Sequence, residues 1–171
     1  MEINSDLVKK NDEILQSYGS KCINRRIKKE LEPLYNMYDD ITISINSNKL
    51  KVGICKINDK KKQQYDFEIC ENYPFRPPKI FYQNRPYSDF LKINYSKNEL
   101  SLVKKITGNE CLCCSSLNCR DNWTPAITLQ KIILDINRVK ILKRNIINKL
   151  LADKIKYKYL IDDIDLDSWL F

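Results

Sequence analysis

Four of the chain's seven cysteines lie within ten residues, 110–119, which read ECLCCSSLNC. Thiolates suit two kinds of chemistry here: nucleophilic attack on an acyl group, and binding of a soft metal ion. A disulfide framework is a third use of clustered cysteines. The odd cysteine count argues against it, as does the start MEINSDLVKK, which lacks the apolar run of a signal peptide. The segment therefore predicts a reactive thiol or a metal site.

The sequence contains no histidine, and this removes several mechanisms at once. A cysteine–histidine catalytic pair, a Cys₂His₂ zinc finger and an HExxH metal site all need imidazole groups. Any catalysis by this chain therefore has to proceed without imidazole.

The charge of the chain is positive, with 30 lysines and arginines against 22 acidic residues, a net charge of +8. This balance favours acidic partners. The basic residues are spread along the chain without an aromatic RNA-binding pattern, so we expect no specific nucleic-acid binding. No stretch is long and apolar enough to span a bilayer. We expect a cytoplasmic or nuclear protein without membrane contact, in a host cytoplasm if the source is a virus or parasite.

Two hydrophobic periods divide the chain. Residues 5–19 and 20–35 carry apolar side chains at helical spacing, and the second stretch has a basic outer face. Alternating apolar and polar residues then predict four strands, over residues 41–46, 49–57, 63–72 and 79–83. The helical period returns at Thr124. The sequence therefore predicts an α+β fold with an N-terminal helix, a four-stranded antiparallel meander, an irregular cysteine-bearing segment and one long C-terminal helix or two.

The same patterns predict how the chain is divided. We expect a helical extension over residues 1–19 and one domain over 20–160. Residues 161–171, IDDIDLDSWLF, alternate aspartates with large apolar residues. They predict an acidic amphipathic tail on an otherwise basic protein.

Three short motifs stand at fixed points along this order. YPFRPP at 73–78 has three prolines, which fix φ and donate no backbone hydrogen bond, so the chain must leave the third strand as an extended crossing. GNECL at 108–112 contains the first clustered cysteine. NWTPAITLQKIILDI at 122–136 sets a tryptophan before a Thr-Pro helix start.

Taken in order, these motifs resemble those of the ubiquitin-conjugating enzyme family over residues 20–150. The resemblance implies a ubiquitin-conjugating fold and an enzyme that carries ubiquitin, or a ubiquitin-like modifier, as a cysteine thioester and passes it to lysine without a cofactor. Cys111 is the implied nucleophile, because it follows Gly108 at the family's Gly-x-x-Cys-Leu spacing. Counting back from Trp123 makes Cys113 a rival.

The resemblance also implies two partner surfaces. The basic helix would bind the activating enzyme, through Arg25, Arg26, Lys28 and Lys29. A ubiquitin ligase would contact an apolar patch of Phe75, Pro125 and Ala126.

The chain departs from the family where a His-Pro-Asn triplet usually supplies the asparagine that stabilises an oxyanion. Residues 88–90 read SDF instead, and a long segment, 91–107, follows with no predicted element. Candidate amides for that role are those of Asn94, Asn98 and Asn109. Two alternatives stay open: a catalytically inactive variant that serves as a binding partner or scaffold, and a zinc-binding protein. The zinc ligands would be Cys111, Cys113, Cys114 and Cys119.

Overall fold

The computed structural model describes residues 5–18, 21–47, 49–58, 61–91 and 97–159, and the predicted α+β class is confirmed. Two helices come first, α1 at Ser5–Ser17 and α2 at Lys21–Leu31. α1 packs against the first strand and α2. Its buried Asn11 donates from Nδ2 to the Ile41 carbonyl at 2.9 Å. This bond satisfies a polar group that would otherwise be buried unpaired.

The sheet has five antiparallel strands in sequence order. They are β1 at Asp40–Asn46, β2 at Lys49–Asn58, β3 at Lys61–Ile69, β4 at Lys79–Tyr82 and β5 at Arg85–Pro86. The four predicted strands are confirmed, but the predicted count of four is wrong. β5 pairs with β4 across a tight turn in which Gln83 and Asn84 have positive φ. A strand of two residues is too short to show a two-residue period.

One face of the sheet is buried along every long strand. Ile43 lies opposite Val52, and Val52 lies opposite Phe67, so the buried side chains of β1, β2 and β3 stack in register. Residues between them, such as Thr42, alternate toward the other face. The period of two in the sequence therefore identified the core face correctly.

Three helices follow the sheet: α3 at Tyr87–Leu91, α4 at Lys97–Thr107 and α5 at Leu129–Tyr159. α5 is one helix of 31 residues, which settles the choice between one helix and two. α3 and α4 were not predicted. The Lys143 ammonium of α5 donates to the Phe90 carbonyl of α3 at 2.8 Å, and the Tyr65 hydroxyl of β3 to Asn137 Oδ1 of α5 at 3.0 Å. These bonds fix α5 to α3 and to the third strand of the sheet.

Within the described ranges, no helix combines the length and the apolar character that crossing a membrane requires. The predicted acidic tail, residues 161–171, lies outside the described residues.

A buried carboxylate joins the second helix to the rest of the domain. Glu30 is 5% exposed. Its two oxygens accept the Tyr73 hydroxyl at 2.8 and 2.7 Å, and Oε2 accepts the Leu129 backbone N–H at 2.8 Å. Arg26, one turn earlier on α2, pairs with Oε1. Glu30 thus ties together α2, the YPFRPP segment and the N-terminus of α5, where a negative charge is favourable.

We expect Glu30→Ala to lower the free energy of unfolding by about 3 kcal/mol, because it leaves a buried hydroxyl and a buried N–H without their acceptor. Urea unfolding followed by far-UV circular dichroism measures this change. Glu32→Ala, at an exposed site just beyond α2, is the matched control and should change stability by less than about 0.5 kcal/mol. Equal effects of the two substitutions would contradict the role given to Glu30.

Candidate active site

The cysteine loop, residues 108–123, begins at the end of α4 on a residue with a left-handed conformation. Gly108 has φ +73°, and its N–H donates to the Lys104 carbonyl at 2.9 Å. Glycine adopts this conformation at little cost and commonly ends helices in this way. The glycine of the Gly-x-x-Cys-Leu motif therefore ends a helix here and turns the chain toward Cys111.

A second buried carboxylate anchors the middle of the cysteine loop to α5. Asp135 Oδ2 accepts the Ser116 hydroxyl at 2.7 Å and the Leu117 N–H at 2.9 Å. Arg138 bonds Asp135 Oδ1 and also reaches the Ser115 carbonyl. Leu112 is fully buried beside Cys111 and provides an apolar anchor. The Asp135 contacts and the buried Leu112 side chain therefore hold the cysteine loop against the body of the protein.

The end of the cysteine loop is fixed to the YPFRPP segment. Asn122 Nδ2 donates to the carbonyls of Cys114 at 2.8 Å and Ser116 at 2.9 Å. The indole N–H of half-buried Trp123 donates to the Pro74 carbonyl at 2.9 Å. The structure thus joins two of the three motifs that the sequence singled out, although Pro74 and Trp123 are 49 residues apart.

Three thiols meet at the top of the cysteine loop. The sulfurs of Cys111, Cys113 and Cys114 all lie within 4.8 Å of one another. Cys111 Sγ is 3.0 Å from Cys114 Sγ and accepts the Cys114 backbone N–H at 3.3 Å. Cys111 is half-buried, whereas Cys113 and Cys114 are exposed. The Cys111 sulfur thus contacts the Cys114 sulfur and also accepts the Cys114 backbone N–H.

This arrangement separates the acidities of the three thiols. Partial burial raises the pKa of Cys111, but hydrogen bonds from the thiols and backbone N–H groups of Cys113 and Cys114 outweigh it, and the net pKa is lowered. The hydrogen bond to Cys111 raises the pKa of Cys113, and it raises that of Cys114 to about 12. Cys111 is thus the thiol of the three that most readily becomes the thiolate, the nucleophilic form.

The predicted zinc ligands are brought together only in part. Cys111, Cys113 and Cys114 form one group, but the Cys119 sulfur is not within 4.8 Å of all three. Structural zinc sites use four ligands in tetrahedral geometry. The described residues thus supply three thiolates that could hold a soft metal, and the fourth predicted ligand would have to move to complete the set.

The predicted oxyanion amides have three different outcomes. Asn94 lies outside the described residues, and Asn98 lies in α4, where its side chain is not described. Asn109 Nδ2 donates to Ser115 Oγ at 3.1 Å and to the Thr107 carbonyl at 3.4 Å. Its amide therefore serves the shape of the cysteine loop.

Sequence reasoning missed the residues that position the cysteine loop, chiefly Asp135, Ser116 and Asn122. One signal was available for Asp135, because it is an acidic residue on the apolar stripe of α5, between Ile133 and Ile136. A carboxylate at such a core position needs buried donors.

The two predicted partner surfaces differ in how free their side chains are. Phe75 is 78% exposed, and Pro125 and Ala126 are also exposed. On α2, Arg25 and Lys29 are exposed. The Arg26 guanidinium instead bonds Glu30 and donates to the Pro125 carbonyl at 3.0 Å. The Lys28 ammonium pairs with Asp12 of α1, so two of the four basic side chains are engaged within the chain.

Comparisons of this chain with known protein families, with curated proteins and with solved structures find no match.

We expect Cys111 to be alkylated by iodoacetamide at a lower pH than Cys113 or Cys114, because its pKa is lowered and theirs are raised. Brief labelling over a pH series, followed by peptide mass spectrometry, gives a midpoint for each thiol.

The double variant Cys113→Ala and Cys114→Ala removes the two thiol donors, so the Cys111 midpoint should move to higher pH. An unchanged midpoint, or a lowest midpoint at Cys113 in the wild-type chain, would contradict this order of acidities.

Proposed function

We propose that this chain is a ubiquitin-conjugating transferase with the corresponding fold, and that Cys111 carries ubiquitin or a ubiquitin-like modifier as a thioester. The observation that carries the proposal is the Trp123–Pro74 hydrogen bond of 2.9 Å. This bond joins the Trp-Thr-Pro-Ala turn, where the cysteine loop ends, to the Tyr-Pro-Phe-Arg-Pro-Pro crossing. Two motifs that resemble one family in sequence are thereby joined, and the second of them ends the loop that carries Cys111.

The reaction has two acyl transfers. The Cys111 thiolate attacks the carbonyl carbon of the modifier's thioester on the activating enzyme, and the activating enzyme's thiolate leaves. A lysine amine then attacks the new thioester, an isopeptide bond forms and the Cys111 thiolate leaves. Neither step requires an imidazole group, which agrees with a chain that has no histidine. The enzyme would act in the cytoplasm or nucleus.

The position of Cys111 suits this role better than that of its rival. Cys111 follows Gly108, which ends α4, and precedes Leu112, which is fully buried. A nucleophile held between two fixed points keeps its geometry while a large acyl group is attached. Cys113 lies on the exposed side of the turn and acts as a donor to Cys111.

A second candidate function is a binding protein of the same type that accepts no modifier or fails to transfer it. The observation that favours it is the engagement of Asn109 within the cysteine loop, combined with the missing His-Pro-Asn triplet. Single-turnover discharge to free lysine separates the two functions. Added lysine shortens the lifetime of the thioester only if the chain is a transferase.

The central test incubates the full chain with an activating enzyme, ATP and ubiquitin. We expect a reductant-sensitive adduct with the wild-type chain, a reductant-resistant oxyester with Cys111→Ser and a stable isopeptide adduct with Cys111→Lys. Cys119→Ser, a change in the same loop but outside the group of three thiols, should keep the sensitive adduct. If Cys111→Ser still gives a sensitive adduct and Cys113→Ser does not, the nucleophile is Cys113.

A charge reversal tests the surface for the activating enzyme. Arg25→Glu together with Lys29→Glu should slow thioester formation roughly tenfold at low salt, because charge complementarity mainly sets association rates. Lys61→Glu with Lys62→Glu, at the exposed start of β3, changes the net charge equally and should leave the rate near that of the wild type. Equal slowing in both doubles would mean that overall charge, and not this surface, matters.

The exposed phenyl ring of Phe75 allows a test of the ligase surface. Phe75→Ala should reduce ligase-stimulated transfer roughly tenfold while thioester formation persists, because exposed aromatic anchors often dominate small interfaces. Ile57→Ala removes another exposed apolar side chain, 58% exposed on β2, and should affect neither activity. Parallel loss of loading and transfer in Phe75→Ala would indicate a folding defect instead.

A further inference from the structure

The cysteine loop contains a pair of thiols three residues apart whose sulfurs are already close. Cys111 lies two residues before a 3₁₀ turn at Cys113–Ser115, and Cys114 lies within this turn. The Ser115 N–H donates to the Leu112 carbonyl at 3.1 Å and closes this turn. The Cys111 and Cys114 sulfurs are 3.0 Å apart. A disulfide bond is about 2.05 Å long, so the two sulfurs need to approach by only about 1 Å.

We propose that Cys111 and Cys114 form a redox-active dithiol, which small-molecule disulfides such as glutathione disulfide oxidise to an intramolecular disulfide. This is an activity of the loop beyond acyl transfer. It uses the same sulfur that the proposed function uses, but it needs neither a modifier nor an activating enzyme.

The geometry favours this pair over the neighbouring one. Cys113 and Cys114 are adjacent, so their Cα atoms are about 3.8 Å apart across a trans peptide. Unstrained disulfides join Cα atoms about 4.4–6.8 Å apart. The backbone contact from the Cys114 N–H to Cys111 Sγ, at 3.3 Å, also directs Cys111 toward residue 114.

The exchange proceeds in two balanced steps. The Cys111 thiolate attacks one sulfur of glutathione disulfide, the S–S bond breaks and a glutathione thiolate leaves. Cys114 loses its proton to water and its thiolate attacks the Cys111 sulfur, which releases the second glutathione. Two electrons pass from the dithiol to glutathione disulfide, the two protons of the dithiol go to water, and the two glutathione thiolates take up protons from water. The hydrogen bond from the Cys114 N–H to Cys111 Sγ favours a thiolate at Cys111 and therefore this order of attack.

Oxidation would also occupy the sulfur that accepts the acyl group. While the disulfide is present, Cys111 has no free thiolate, so it can take no modifier until a thiol reduces the bond. Glutathione in excess over its disulfide would restore the dithiol by the reverse steps.

The experiment equilibrates the full reduced chain, freed of metal by a chelator, with glutathione buffers of increasing disulfide fraction. Samples are quenched in acid, alkylated and mapped by mass spectrometry. We expect a peptide in which Cys111 is linked to Cys114, with two fewer alkylated thiols per chain, and full reversal by dithiothreitol. No modifier is present, so the result is independent of the thioester assay.

Two serine variants in the same turn identify the pair. Cys113→Ser, the matched control, should keep the link and the loss of two alkylated thiols. Cys114→Ser should form no intramolecular link. It should instead accumulate a glutathione adduct on Cys111, because the thiol that would release this glutathione is gone. Circular dichroism checks that both variants keep the fold.

Three results would overturn the inference. One is the absence of any intramolecular link at a large excess of glutathione disulfide. Another is a link that maps to a pair other than Cys111 and Cys114. The third is an unchanged loss of two alkylated thiols in Cys114→Ser.

Discussion

The buried carboxylate of Glu30 is the constraint on which the other parts of the domain depend. It accepts hydrogen bonds from the Tyr73 hydroxyl and the Leu129 N–H, and Arg26 pairs with it. Burial of a carboxylate is costly unless its oxygens accept hydrogen bonds. The folded state therefore needs all three donors in place around Glu30. The extended crossing after β3 and the start of α5 can therefore take only one position relative to α2. Burial of Tyr73 raises its pKa further above the usual range, and Glu30 adds to this shift, so the phenol remains a donor.

Asp135, six residues or about 1.7 turns after the start of α5 at Leu129, is a second buried carboxylate that acts in the same way. It fixes the cysteine loop as Glu30 fixes the helix start. Each carboxylate accepts a backbone N–H that has no partner within a helix or strand: the N–H of Leu129, at the first residue of α5, for Glu30, and that of Leu117, in the cysteine loop, for Asp135. The YPFRPP segment is thus linked through Glu30 to the first residue of α5, and the cysteine loop is bound to the side of α5 through Asp135. The relation between the YPFRPP crossing and the thiols follows from these two contacts and from the Trp123–Pro74 bond.

Much of this fold was predictable, because buried residues alternate with exposed ones along the strands and give the sequence a period of two. Ile41, Ile43 and Val52 alternate with polar neighbours, and each is buried. α4 was not predicted, although Leu102, Val103 and Ile106 stand at helical spacing in its sequence. The cysteine loop was predicted from a motif. Its support by Asp135 was not, because hydrogen bonds between residues 19 apart leave no local pattern.

The two anchors of the cysteine loop have an evolutionary consequence. Residues 118–121 lie between the Leu117 contact to Asp135 and the Asn122 contacts, and they are half-buried or exposed. Lengthening a loop between fixed ends is cheap, about 0.6 kcal/mol for each doubling. Insertions here would therefore be tolerated without moving Cys111. Sequence drift would change the interval from the cysteine to Trp123 while the interval from Gly108 stays constant, so the glycine is the better reference point for aligning divergent chains of this shape.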